Sequence, residues 1–246
     1  MSFRRAFNDS SLFNAQASYR SAKWAVGTLL FFNGGVFGAW TYARGSRDTE
    51  LLRQLEEHAT LSEHNLAAGR YYTYVTSAFS HKELPHFAFN MFALFTYGGL
   101  LASVPGIGAL HIYGLAITSS IAASAAFITH RRRKTKQREK KRDLQSRFSG
   151  NAIIRETGLG ASGIVMAAAA VATCLRPTIQ VVIFPMPMPM PLYVATGLVA
   201  AVDAYMIDKG DKIGHDAHLG GFAWGAVYYL LLLRNKGGIW RLLSRR

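Results

Sequence analysis

The sequence has a single cysteine, Cys174, and few acids: 14 Asp and Glu stand against 28 Lys and Arg in 246 residues, a net charge of +14. One cysteine excludes an intrachain disulfide. Only 17% of the residues are charged while 50% are hydrophobic, and the charges are gathered into blocks between long uncharged stretches. That pattern fits a polytopic membrane protein rather than a large soluble core. The mean hydropathy, +0.11, averages apolar spans with very basic connections. A charge of this size also suits nucleic acid, but the basic residues adjoin apolar spans, where anionic lipid headgroups are nearer. Membrane lipid is therefore the expected partner, and nucleic acid is not. The N-terminal stretch lacks the small-residue cleavage site of a secretory signal. Met1–Lys23 instead carries Arg4, Arg5, Arg20 and Lys23, several serines, Phe3, Phe7 and one acid, Asp9. This is a basic tail with the composition of a mitochondrial transit segment, and it reads equally as a basic tail before a membrane anchor.

Six apolar stretches follow: Trp24–Ala43, Leu84–Val104, Ala109–Thr129, Gly160–Leu175, Pro191–Ile207 and His215–Leu233. They predict an all-α polytopic membrane protein, a bundle of six transmembrane helices over residues 24–233 between basic tails at 1–23 and 234–246. The Pro105-Gly106-Ile107-Gly108 turn makes the second and third a helical hairpin. The fourth is short, so it either reaches only partway across the membrane or begins below the surface, which would put Ser162 inside the membrane. Alternating prolines from Pro185 to Met190 exclude helix and predict an extended connector. Leu51, Leu52, Leu55 and Ala59 lie at helical spacing and predict a helix on the membrane surface, or a solvated loop helix. His130–Arg147 reads as a solvated basic loop. Lys and Arg are more numerous in the odd-numbered loops, which therefore face the cytosol or matrix, with the active site opening on the side of that basic loop.

The fourth stretch opens on Gly158-Leu159-Gly160-Ala161-Ser162-Gly163, a serine presented where a Gly-rich loop enters an apolar run. A hydroxyl there, beside the unpaired first N–H groups of a helix, suits a nucleophile with its own oxyanion site. Polar residues recur inside other spans. His86 and Asn90, at i and i+4, project from one helix face. They serve either as oxyanion donors or as interhelical hydrogen-bonding groups. His218 shares a face with Gly221 and Gly225, whose spacing lets another helix approach closely, and that helix is expected to be the one opened by Ser162. Ser162 as nucleophile and His218 as base form a dyad, with Gly160, Gly163, Gly221 and Gly225 as packing residues. No Asp lies on the His218 face, since Asp216 is two residues away. Asp203 is an unpaired acid within the fifth span, with no assigned role. His215-x-x-His218 is half a metal site that nothing at helical spacing completes, so no metal and no cofactor is expected. His81 and His111 lie near span ends and read as interfacial.

Thr76-Ser77-Ala78-Phe79-Ser80-His81, His86-x-x-x-Asn90, Gly160-Ala161-Ser162-Gly163 and Ala217-His218-x-x-Gly221-x-x-x-Gly225 occur in that order. Together they resemble the motifs of the rhomboid intramembrane serine proteases. The resemblance implies a serine endopeptidase that cleaves single-pass transmembrane proteins, with Ser162 as nucleophile, His218 as general base, and His86 and Asn90 as oxyanion donors. The first-loop Trp-Arg pair of bacterial members is missing. Met166 stands where an aromatic often packs on the catalytic imidazole. Both features look like the mitochondrial, presenilin-associated branch, which implies the mitochondrial inner membrane. A non-catalytic relative that binds or retains membrane helices is the alternative.

Overall fold

The computed structural model describes residues 3–145, 157–183, 186–209 and 213–244. Within them the chain is mostly helical. The helices are α1 (Phe3–Gly45), α2 (Thr49–His58), α3 (Glu63–Ala67), α4 (Thr73–Thr76), α5 (Leu84–Ala102), α6 (Ala109–Gln145), α7 (Ser162–Leu175), α8 (Leu192–Met206), α9 (His215–Tyr228) and α10 (Ile239–Leu243). All six apolar stretches are helical. Among the described residues one helical segment, Ala109–Gln137 in α6, is long and apolar enough to cross a membrane by itself; α7 and α8 are apolar but shorter. No break separates the basic N-terminal residues from the first apolar stretch, because α1 runs unbroken through Lys23.

The centre of the bundle is α7, in which every residue from Gly163 to Ala172 is buried. Its Ala and Gly side chains occupy little volume, so neighbouring helices come close on all sides. It packs most extensively against α9, then against α5 and α6. Many large apolar side chains lie on the outside, Trp24, Phe31, Phe89, Phe92, Leu110 and Leu231 among them, while others such as Trp40, Ile107 and Tyr229 are buried. The α7–α9 contact is backbone on backbone. A methyl on Gly221 would overlap the Gly163 carbonyl, and one on Gly225 would overlap that of Ala167.

Two expectations are corrected here, and a third is extended. The turn at 103–108 does join α5 to α6, with Gly106 at φ +80°, but the two do not form a packed hairpin. Instead α5 lies against α1 and α7, while α6 lies against α9, α7 and α1, since the small-residue faces of α7 and α9 offer the closer approach. The basic run after His130 is not a loop through Gln145 but a continuation of α6. Its Arg, Lys, Gln and Glu are good helix formers with no Gly or Pro among them. Arg132 there forks onto Glu63 at 2.8 and 3.0 Å. The proline-alternating segment is extended, as expected, yet it is paired: β2 (Met186–Pro191) runs antiparallel to β1 (Gln180–Ile183). Alternation places every missing N–H on one edge, which leaves the methionine N–H groups on the other. The amphipathic stretch is α2, capped by Asp48 accepting from Leu51 N–H at 2.9 Å, with no residue fully buried.

The loop leading into α7 is tied down at three points. Leu61 and Gly158 exchange backbone hydrogen bonds of 2.9 and 2.8 Å, and the Gly160 N–H donates to the Ser77 carbonyl at 2.9 Å. The Ala161 N–H donates to His81 Nε2 at 3.2 Å. His81 was expected to be interfacial but is fully buried. It lies in the loop before α5, outside the apolar helices. Burial, with a smaller contribution from the neighbouring His86 ring, holds its imidazole down to about 3. A neutral ring suits its acceptor role.

Two predictions follow from this packing. Because backbone atoms occupy the space beside Gly225, even Gly225→Ala forces the helices apart and costs about 1–3 kcal/mol, and Gly225→Leu costs more. Thermal unfolding in detergent should rank wild type above Ala above Leu; an unchanged Leu variant would show that this contact does not hold the helices. The second concerns His81. Between its ordinary value of 6.5 and about 3, the unfolded chain binds a proton that the folded chain excludes, so stability falls as pH drops through that window. His81→Gln keeps an acceptor without the titration. Its unfolding midpoint should fall less than that of wild type between pH 7.5 and pH 5, and equal slopes would contradict the assignment.

Candidate active site

Ser162 is the first residue of α7 and is half-buried. Gly160 has φ +118°, a conformation that a Cβ would strain, and it turns the tethered loop into the helix. Among the described residues no side chain caps α7, so its first N–H groups, that of Ser162 among them, remain available to an anion or to water. Among the described residues the Ser162 Oγ makes no hydrogen bond, to His218 or to any other group.

His218 lies one turn before Gly221 on α9. The Gly163–Gly221 contact therefore brings the end of α7 that carries Ser162 alongside the end of α9 that carries His218. Behind His218 the structure places an acid. Asp203 Oδ1, from α8, lies 3.0 Å from His218 Nδ1 and 2.6 Å from His215 Nδ1. The side chains of Asp203, His215 and His218 are 5%, 6% and 18% exposed. A carboxylate only accepts, so each Nδ1 carries its hydrogen, and the Nε2 of a neutral His218 is left as an acceptor.

This overturns two sequence readings. Asp203 is not unpaired, and His218 does have a carboxylate beside it. The same acid completes a set of three metal-type donors with His215 and His218, which spacing along α9 alone did not reveal. The third member comes from a different helix. Asp216, as expected, points elsewhere and accepts from the Ala217 N–H at 2.8 Å. The available signal for Asp203 was its position, an acid inside an apolar span.

His86 lies directly against the loop. A Cβ on Gly160 would be 2.6 Å from its Cε1 and 3.0 Å from its Nε2, and its ring meets that of His81 edge-on at 5.0 Å. Asn90 is buried one turn further along α5, and its Nδ2 donates to the His86 carbonyl at 2.9 Å. That bond lies within one helix. Among the described residues no hydrogen bond joins Asn90 to the Ser162 loop or to another helix. An amide has two N–H hydrogens, so one is left for a ligand. His111, at the start of α6, faces Tyr228 of α9, with Nδ1 3.4 Å from the hydroxyl.

The pattern for the rhomboid domain matches residues 68–235, a range that contains α5 to α9 and every residue just described. The chain is similar to RHOMBOID-like protein 12, mitochondrial, of Arabidopsis thaliana, at 26% identity over 208 residues, covering 85% of this chain and 58% of that protein. It is also similar to Rhomboid protein 1, mitochondrial, of Saccharomyces cerevisiae, at 28% identity over 204 residues, covering 82% of this chain and 51% of that protein. The chain thus spans a little over half the length of these two relatives. With a buried helix opened by Ser162, a histidine helix packed on it through glycines, and a domain match covering both, the chain belongs to the rhomboid family.

Proposed function

We propose that the protein is an intramembrane serine endopeptidase of a mitochondrial membrane, the inner one by the branch it resembles, cleaving single-pass transmembrane substrates. The observation that carries this reading is the 3.0 Å contact of His218 Nδ1 with Asp203 Oδ1 on the helix packed against the start of α7. Exposed aromatic and aliphatic side chains around the helices, with an Ala- and Gly-rich helix at their centre, support a lipid surround and six membrane spans. At 14 residues α7 is about 21 Å long, shorter than the roughly 30 Å hydrocarbon layer, so Ser162 starts below the surface. The mitochondrial assignment is supported by the names of both relatives.

In this reading the Ser162 Oγ attacks the scissile carbonyl while His218 Nε2 takes its proton. Asp203 holds the Nδ1–H tautomer and stabilises the imidazolium that forms. The expected dyad becomes a pair with a carboxylate behind it. The tetrahedral oxyanion receives the Ser162 N–H, the free Asn90 N–H and the His86 imidazole. Substrate helices must unwind locally, because a helical peptide bond is shielded and already hydrogen-bonded. A second reading, a non-catalytic protein that retains membrane helices, is favoured by one observation: the Ser162 Oγ is not bonded to His218. Labelling by a serine-directed fluorophosphonate, wild type against Ser162→Ala, separates the two.

Ser162→Ala and His218→Ala should each abolish cleavage of a single-pass substrate without loss of insertion, and the double variant should be no worse than either. A double variant far below both would break the pairing. Asp203→Asn should lower kcat by at least tenfold and at most about 10⁴-fold, the loss seen when a triad carboxylate elsewhere becomes an amide; full activity would leave Asp203 no positioning role. His86→Ala and Asn90→Ala should each cost about 2.7–4 kcal/mol of transition-state stabilisation, seen in turnover rather than in substrate affinity. An effect on affinity alone would point to helix packing.

A further inference from the structure

The triplet of Asp203, His215 and His218 has more donors than a base and its carboxylate require. His215 plays no part in the proposed proton transfer, yet its Nδ1 approaches the same Asp203 oxygen more closely, at 2.6 Å, than does that of His218 at 3.0 Å. One carboxylate oxygen thus takes both imidazoles, while Asp203 Oδ2 is buried with no hydrogen-bond partner among the described residues. Leaving a buried carboxylate oxygen unsatisfied is costly. We propose that Asp203, His215 and His218 form a binding site for a zinc-type divalent cation, and that its occupation disables His218 as a base; the inhibitory half rests on the protease reading above.

The donor geometry supports a metal. One ligand atom from each residue lies within 4.8 Å of the others. Bonds of about 2.0–2.2 Å in a tetrahedral site place donors roughly 3.3–3.5 Å apart, so the two short contacts need to open by less than about 1 Å. Two imidazoles and a carboxylate form a set that zinc accepts, with a fourth position open to water. The frame is firm on both sides. His215 and His218 sit one turn apart on α9, and Asp203 projects from α8, which packs against it. His218 is the most exposed of the three at 18%, which makes its side the route of entry.

The consequence for the base is a matter of tautomers. A cation at Nδ1 displaces the hydrogen now directed at Asp203, and a neutral imidazole then carries it on Nε2. Nε2 becomes a donor and cannot accept the Ser162 proton. No net proton or electron need leave the site, and removing the metal restores the original tautomer.

The test uses the full chain in detergent micelles after chelator treatment. Zinc binding is measured by calorimetry with zinc chloride, coordination by the visible absorption of added cobalt(II), and cleavage of a single-pass substrate is followed in parallel. Wild type and Ser162→Ala should each bind one zinc and give the absorption of four-coordinate cobalt, since Ser162 is not a ligand. His215→Ala and Asp203→Asn should each weaken binding by at least about tenfold, the lower end of the loss for a mere supporting residue. Wild-type cleavage should fall as zinc saturates and return with chelator, whereas His215→Ala, referred to its own metal-free rate, should resist at the same concentration. The site is overturned by an absence of saturable binding in wild type and Ser162→Ala, or by undiminished binding in His215→Ala. Full cleavage at saturating zinc overturns the inhibitory half. A metal-free wild type that neither cleaves substrate nor reacts with fluorophosphonate defeats the protease reading and its inhibition, while the binding measurements on Ser162→Ala still decide the site.

Discussion

The close approach of α7 and α9 is the contact on which the other site geometry depends. Gly221 and Gly225 leave no side chain between the helices, so α9 lies against the carbonyls of Gly163 and Ala167. In lipid there is little hydrophobic gain in burying one apolar surface against another, and helix association depends on van der Waals fit and buried polar contacts. Gly163 and the alanines of α7 supply that fit where α9 crosses it. A second polar link, between Thr173 of α7 and Thr196 of α8 with their hydroxyls 2.9 Å apart, helps place α8, and with it Asp203, around the same core. The backbone contact also brings His218 and Ser162 to the same end of the pair.

The tethered loop solves a complementary problem. A serine at the start of a buried helix is useful only if the preceding backbone is fixed, and this backbone is irregular. Its polar groups are taken up by Leu61, Ser77 and His81, three partners from the long connection between α1 and α5. That connection is held in turn by a surface network in which Arg53 pairs with Glu50 and Glu57, and Glu57 with Arg70. Exposed pairs of this kind stabilise little individually. They join α2 to the segment that follows it.

The electrostatics centre on one carboxylate. Asp203 faces two imidazoles from within a helical core, an arrangement that costs desolvation unless hydrogen bonds return it. The two Nδ1 contacts do so for Oδ1. The same contacts give His218 a defined tautomer, the property a general base needs, and they put three metal-type donors together. The proposed base positioning and the proposed cation binding would thus draw on the same atoms.

The sequence by itself determined much of this. Six apolar stretches were legible as helices because hydropathy is a local property. Ser162, His86, Asn90 and His218 stood out because polar groups in apolar runs need a reason, and the glycine spacing on α9 marked a face for close packing. The roles of Gly221 and Gly225 as spacers follow from volume alone. Tertiary structure decided what lay between elements. Asp203 became a partner of His218 only because α8 packs on α9, and a separation of 15 residues across a change of helix gives no spacing to read. His81 looked interfacial by position, yet the fold buries it under Ala161. The turn between α5 and α6 suggested a hairpin, but a short connection fixes where two helices start and end, whereas the depth of their faces fixes what they pack against. The smallest faces belonged to α7 and α9, and no local pattern along α5 or α6 carries that comparison.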